Sequence, residues 1–170
     1  TIWDDFNNEN KKALVMNIPL TYPVRALNGI MIGGFLSPDI DNATYPASLS
    51  AKLKELGYII DVDSWIARDS KEKFLNELNR ALEKRFEVIR YLLNTDNFEL
   101  IIFHIMETDR INHFFWEDFE KKREYYDSFL KFYQKLDRLL TEFIDSFVKK
   151  EDLLIIMSDH GFCTTKAEVY

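Results

Sequence analysis

The sequence predicts an α/β fold in which a mostly parallel sheet is joined by helical crossovers. Three observations carry this. Short runs of buried-type residues recur at Ala13–Ile18 (ALVMNI), 98–106 (FELIIFHIM) and 152–157 (DLLIIM). Long stretches with apolar residues three to four apart separate the last two from what precedes them. Near-continuous apolar strands alternating with amphipathic helices are the pattern of a sheet covered on both faces.

The elements follow in order. Residues 1–12 are polar and Asn-rich and read as a connecting loop. Strand 13–18 runs into Pro19 and Pro23, which force a loop. Residues 30–32 form a second short strand that opens into Gly33-Gly34. Residues 46–56 read as a short helix closed by Gly57, and residues 58–62 as a strand. Ser70 can cap a long helix whose buried face is Phe74, Leu78, Leu82, Phe86, Ile89 and Leu93. After strand 98–106, a second long helix is expected over 117–148, with a stripe of Tyr126, Phe129, Tyr133, Leu136, Leu140, Ile144 and Phe147. Strand 152–157 leads directly into SDHGF.

Composition narrows the function classes. The 170 residues are 46% hydrophobic and include fourteen Phe and eight Tyr, so one domain with a real core is expected and disorder is not. A net charge of −7 argues against nucleic acid as the main partner, because phosphate backbones demand a basic face. It leaves a small phosphate substrate open, since bound cations can supply positive charge locally. Cys163 is the single cysteine, so no internal disulfide forms and a cytoplasmic setting is expected. No apolar run approaches the roughly 18–20 residues of a membrane span.

Open α/β sheets carry their functional groups just beyond the C-terminal ends of the strands. Two segments fall there. In ETDRINHFFW, Asp109 and His113 are four apart, so one helical turn would aim both at a single ion. In SDHGF, Asp159 and His160 are adjacent, and Gly161 permits a sharp turn that could aim both inward. Two of the three histidines therefore stand beside an Asp after a buried strand, a donor set suited to Zn²⁺ or Mn²⁺.

The neighbouring residues have plainer readings. His104 is expected to be a hydrogen-bonded core histidine, and Arg110 to form a surface ion pair rather than a phosphate contact. Phe114, Phe115 and Trp116 read as packing beneath the site, and Thr164 and Thr165 as loop residues. Cys163 lacks the support a Cys/His nucleophilic pair would need.

TDRINHFFW, then KLDRLL, then LLIIMSDHGF, together with MNIPLTYP, NGIMIGGFLSP and TYPASL upstream, resemble the alkaline phosphatase superfamily. The nearest branch is that of type I phosphodiesterase/nucleotide pyrophosphatase-like phosphohydrolases and phosphomutases, and the resemblance covers nearly the whole chain. It implies an alkaline phosphatase-like fold, incomplete here, with residues 1–170 as an internal part of a single catalytic domain. It implies a phosphoric ester hydrolase with two divalent metal ions and a small-molecule phosphate ester as substrate. Asp109 and His113 would bind one ion, and Asp159 and His160 the other. The family's nucleophile, its upstream Asp and its last histidine have no counterpart in this sequence. The chain by itself is therefore expected to be inactive, to hold metal partially or not at all, and to be prone to self-association. Asp137 matches an Asp usual in the family and is taken as a structural hydrogen-bonding residue. A sulfatase or phosphoglycerate-mutase-like relative, and a non-catalytic module with a degenerate site, are the competing readings.

Overall fold

The structure is a computed structural model, and it describes residues 1–164. Its centre is β1 (Ala13–Ile18), whose first four residues are wholly buried because it is flanked on both sides. Strand β2 (Gly29–Gly33) and strand β4 (Leu100–Phe103) both pair with it in parallel, Leu14 lying opposite Ile30 on one side and Ile101 on the other. A two-residue strand, β3 (Thr44–Tyr45), adds antiparallel to β2, giving the order β3-β2-β1-β4. The mostly parallel α/β sheet that the sequence predicts is present. Its strand order could not be read from periodicity.

Two long helices fit their predicted faces unequally. Helix α4 (Lys71–Thr95) begins at Ser70, whose hydroxyl accepts from the Lys73 amide at 3.2 Å. Phe74, Leu78, Leu82, Phe86 and Ile89 are buried as expected, together with Ala81, Val88 and Leu92, while Leu93 is only partly covered. Arg85 shares that buried face. The second helix is not the single rod 117–148. Helix α5 (Met106–Glu120) starts directly after β4, and the chain then breaks at Lys122, which has φ 50°. Helix α6 (Tyr126–Phe147) resumes beyond the break. Its buried face is Phe129, Phe132, Leu136 and Phe143, slightly rotated from the predicted stripe. The rotation follows from packing: Phe143 meets Phe103 of β4 at 5.2 Å, and Phe129 lies 6.1 Å from Trp116 of α5. Asp137 is exposed and makes no side-chain hydrogen bond among the described residues, so the structural role expected of it is not seen.

Other differences have local causes. Residues 2–8 form helix α1 (Ile2–Asn8), its start held by the Thr1 hydroxyl donating to the Asp4 carboxylate at 2.6 Å. A 3₁₀ turn (Ala47–Leu49) leads into helix α2 (Ser50–Glu55), and Gly57 closes it at φ 71°, where a side chain would be strained. Residues 58–62 are a loop rather than a strand, because the Ile59 and Ile60 carbonyls accept from Arg85 instead of from a neighbouring strand. A one-turn helix α3 (Ile66–Asp69) follows. Strand β4 is shorter than predicted, with α5 beginning at Met106; it is the last strand of the sheet among the described residues, and its Ile101 is 37% exposed.

The largest departure is at residues 152–157, which form no regular secondary structure and pair with no strand among the described residues. Leu153, Leu154, Ile155, Ile156 and Met157 are 44–85% exposed. The residue types that predict a buried strand are there, but no strand pairs with them. No helix among the described residues is long and apolar enough to cross a membrane.

Phe86 is wholly buried between the sheet and helices, its ring edge-on to Phe103 at 6.0 Å. Phe86→Ala should cost about 3–5 kcal/mol, through lost transfer energy and the cavity left behind. Urea unfolding monitored by circular dichroism measures it. A loss below about 1 kcal/mol would show that this layer collapses around the gap.

Candidate functional site

Helix α5 starts two residues after β4, so its first turn stands at the C-terminal edge of the parallel strands. Asp109 lies in that turn and His113 one turn later, and His113 Nε2 is 3.3 Å from Asp109 Oδ1. The four-residue spacing does what the sequence predicts. Both donors point to the same side of the helix, where they remain partly open to solvent.

Asp159 and His160 form the second pair on irregular backbone, with His160 Nε2 3.6 Å from Asp159 Oδ2. The His160 amide donates to Asp159 Oδ1 at 3.0 Å, and His160 Nδ1 lies 2.9 Å from the Gly161 carbonyl. A carbonyl accepts only from a protonated nitrogen, so this contact places the proton on Nδ1 and leaves Nε2 as the lone-pair donor. The same carbonyl, followed by Asp159 and Asp109, raises the His160 pKa above the usual histidine value.

Phe162 links the two pairs. Its ring centroid is 4.9 Å from that of His113 and 6.1 Å from that of His160, and Trp116 is 5.8 Å away. Asp109 and Asp159 also both act on the imidazole of His104, just past the end of β4. The four sequence-predicted residues therefore gather at one edge of the sheet, as two separate pairs. Among the described residues, no three His, Cys, Asp or Glu side chains come close enough to share an ion.

The donor set nonetheless suits divalent cations. Each pair offers one carboxylate oxygen and one imidazole nitrogen on the same side. Among the described residues, the Asp partner is the one polar group beside Nε2 of either histidine.

A family model, type I phosphodiesterase / nucleotide pyrophosphatase, matches residues 1–170. The chain belongs to that family. With it comes membership of the alkaline phosphatase superfamily and of a family of phosphodiesterase- and pyrophosphatase-type hydrolases. No curated protein and no solved structure gives a significant match.

Several neighbours depart from their sequence readings. Arg110 does form an ion pair, but it is partly buried rather than at the surface. Its Nε donates to Asp61 at 3.0 Å, its Nη2 also meets that carboxylate, and its guanidinium lies over Phe35. Asp61 raises the Arg110 pKa further. His104 has a buried Nδ1 with no partner among the described residues, so the hydrogen-bonded core histidine expected there is not seen among them. Asn17, at the bulge that ends β1, is wholly buried with an unpartnered Oδ1, and its Nδ2 reaches only the His104 carbonyl at 3.4 Å. Phe115 is buried against Phe74, as the packing reading of 114–116 anticipates. Cys163 is exposed, the Thr164 hydroxyl donates to Glu120, and Thr165 lies outside the described residues.

Sequence reading missed Tyr58, Asp61 and Arg85 as neighbours of the site. Arg85 did leave a signal. It stands seven residues after Leu78 and seven before Leu92, a charge on the apolar stripe of α4.

Burial pushes the His104 imidazole below its ordinary range, with Arg85 adding to this and Glu107, Asp159 and Asp109 opposing it. The unfolded chain therefore binds the proton first as pH falls through about 6.5. Stability tied to neutral His104 is full above that pH and drains away as pH falls toward the lowered folded value. Urea midpoints at pH 7.5 and 5.5 should converge more in His104→Leu than in the wild type. An equal acid loss in both proteins would contradict the shift.

Proposed function

We propose that this protein is a metal-dependent phosphoric ester hydrolase of the phosphodiesterase or nucleotide pyrophosphatase type. It acts on a small-molecule phosphate ester through two divalent ions, Zn²⁺ or Mn²⁺. One observation carries the reading. Two Asp–His pairs stand at one edge of a parallel sheet, joined across Phe162, in a chain of this family. Asp109 and His113 would hold one ion, and Asp159 and His160 the other.

When bound, such ions supply Lewis acidity and offset the charge that develops on the oxygens of an in-line phosphoryl displacement. The chain's own residues prepare the donors. Helix α5 fixes Asp109 and His113 one turn apart, so neither must be ordered when an ion arrives. The Nδ1–Gly161 hydrogen bond presents His160 through Nε2. Phe162 stands edge-on to the His113 ring and tilted beside that of His160. The net charge of −7 favours a small substrate over nucleic acid, and the lone, exposed thiol of Cys163 suits a reducing cytoplasm.

In the intact enzyme, Asp109→Asn and His113→Ala should each lower kcat for bis-p-nitrophenyl phosphate at least about a hundredfold, the scale of losing one group that stabilises transition-state charge. The far-ultraviolet circular dichroism should not change, because both side chains lie partly in solvent. Near-normal turnover with unchanged metal content in both variants would overturn the reading.

Residues 1–170 by themselves should bind Zn²⁺ or Mn²⁺ weakly. Each pair gives an ion two protein ligands, whereas a catalytic zinc ordinarily takes three beside its open position. Calorimetric titration checks this. A dissociation constant below about 1 μM would mean that the chain completes a coordination shell some other way.

A further inference from the structure

Asp109 stands in a helix turn that nothing caps. The N-cap of α5 is Ile105, which offers no side-chain acceptor. What holds this turn lies on either side of Asp109. On one side Glu107 is 1% exposed and receives Arg85, whose Nε lies 3.1 and 2.9 Å from the two carboxylate oxygens and whose Nη2 is 2.6 Å from one of them. On the other side Arg110 is gripped by Asp61 and leaves Nη1 3.7 Å from Asp109 Oδ2.

These two anchors are one assembly. Besides Glu107, Arg85 donates to the Tyr58 hydroxyl at 2.8 Å and to the carbonyls of Ile59 and Ile60 at 3.3 and 3.2 Å. It therefore fixes the backbone immediately before Asp61. Helix α4, loop 58–62 and the first turn of α5 close into a ring, with Arg85 at its hub and Asp109 on its rim.

Stability alone does not explain a pair with no exposed atom on Arg85. Desolvating both charges costs about as much as their attraction returns, and apolar residues of similar volume often serve as well or better. What apolar residues cannot supply is direction. A guanidinium satisfied along both edges permits one orientation of the helix turn it binds.

We propose that Arg85, with Glu107 as its partner, is a positioning residue that sets the phase of the first turn of α5 and so aims Asp109. The proposal rests on the metal-site reading given above. Arg85 touches no reacting atom and acts through Glu107 and through loop 58–62.

The test separates aim from stability. Arg85→Met/Glu107→Leu, with Tyr58→Phe to avoid an orphaned hydroxyl, replaces the network by apolar side chains in the purified intact enzyme. The expected result is a melting temperature near the wild-type value with kcat lower by at least about tenfold and little change in KM, because misplacement near the chemistry is felt in the transition state. Amide exchange at Thr108, Asp109 and Arg110 should quicken at least about tenfold, while the amides of 111–120 keep their protection. Arg85→Lys keeps the charge without the fork and should lose rate in the same direction. If the triple variant does not fold, Asp61→Asn, which loosens the outer anchor, should give the same split between kcat and KM and the same exchange pattern.

Amide exchange is read without any activity, so it decides the proposal even if the metal-site reading fails. Unchanged exchange at 108–110 in a folded variant overturns it. So does a loss of activity that only follows a matching fall in melting temperature.

Discussion

A guanidinium with no exposed atom must find partners for its N–H groups inside the protein, and that demand shapes much of this structure. Arg85 meets it with a carboxylate from α5 and with a phenol and two backbone carbonyls from loop 58–62. Burial works against its charge, but Glu107 and Tyr58 more than offset this and hold the guanidinium further into its charged range. Tyr58 in turn has its hydroxyl pushed up in pKa by the same burial. Removing either half of such a pair leaves an uncompensated buried charge, among the most damaging single changes a core can suffer. The loop at 58–62 owes its shape to this arrangement, since carbonyls committed to Arg85 are lost to any sheet ladder.

The same sheet shows the opposite situation at its β4 edge. β1 is flanked by parallel partners on both sides and its first five residues are buried, whereas β4 is paired on one side alone among the described residues. Residues 153–157 carry five large apolar side chains into solvent. An unpaired edge strand and an exposed apolar run are both features that association would relieve. The run begins beyond the Lys149–Asp152 turn, and its far end is tied down by the aromatic contacts of Phe162 and the Thr164–Glu120 hydrogen bond. The Asp159–His160 pair thus sits on backbone held at both ends but free of strand pairing between them.

This difference in support marks the two halves of the candidate site. Asp109 and His113 are side chains of a helix braced by a buried ion pair and a partly buried one. Asp159 and His160 depend on local hydrogen bonds within SDHG and on one phenylalanine ring. The chain belongs to the type I phosphodiesterase / nucleotide pyrophosphatase family. The family does not by itself explain why one half is rigidly built and the other lightly held. The hydrogen-bond inventory does.

The sequence by itself determined the fold class, the central strand, the cap and most of the buried face of α4, and the helical spacing that brings Asp109 against His113. These are short-range properties: a period of 3.6, a capping hydroxyl and a run of apolar side chains act within a few residues of one another. It misjudged 58–62 and 152–157, where the residue types favour a strand but pairing requires a free neighbour at the right distance. At 58–62 the carbonyls of Ile59 and Ile60 go to a distant arginine, and at 152–157 no strand among the described residues pairs with the segment. It also ran the last turn of α5 into α6, because a left-handed residue such as Lys122 leaves no periodic trace. Only the tertiary structure decided the strand order, the partners of Arg85 and Arg110, and the meeting of the two Asp–His pairs across Phe162. Each of these joins residues tens of positions apart, and a periodicity that reports which face is buried cannot report what lies against it.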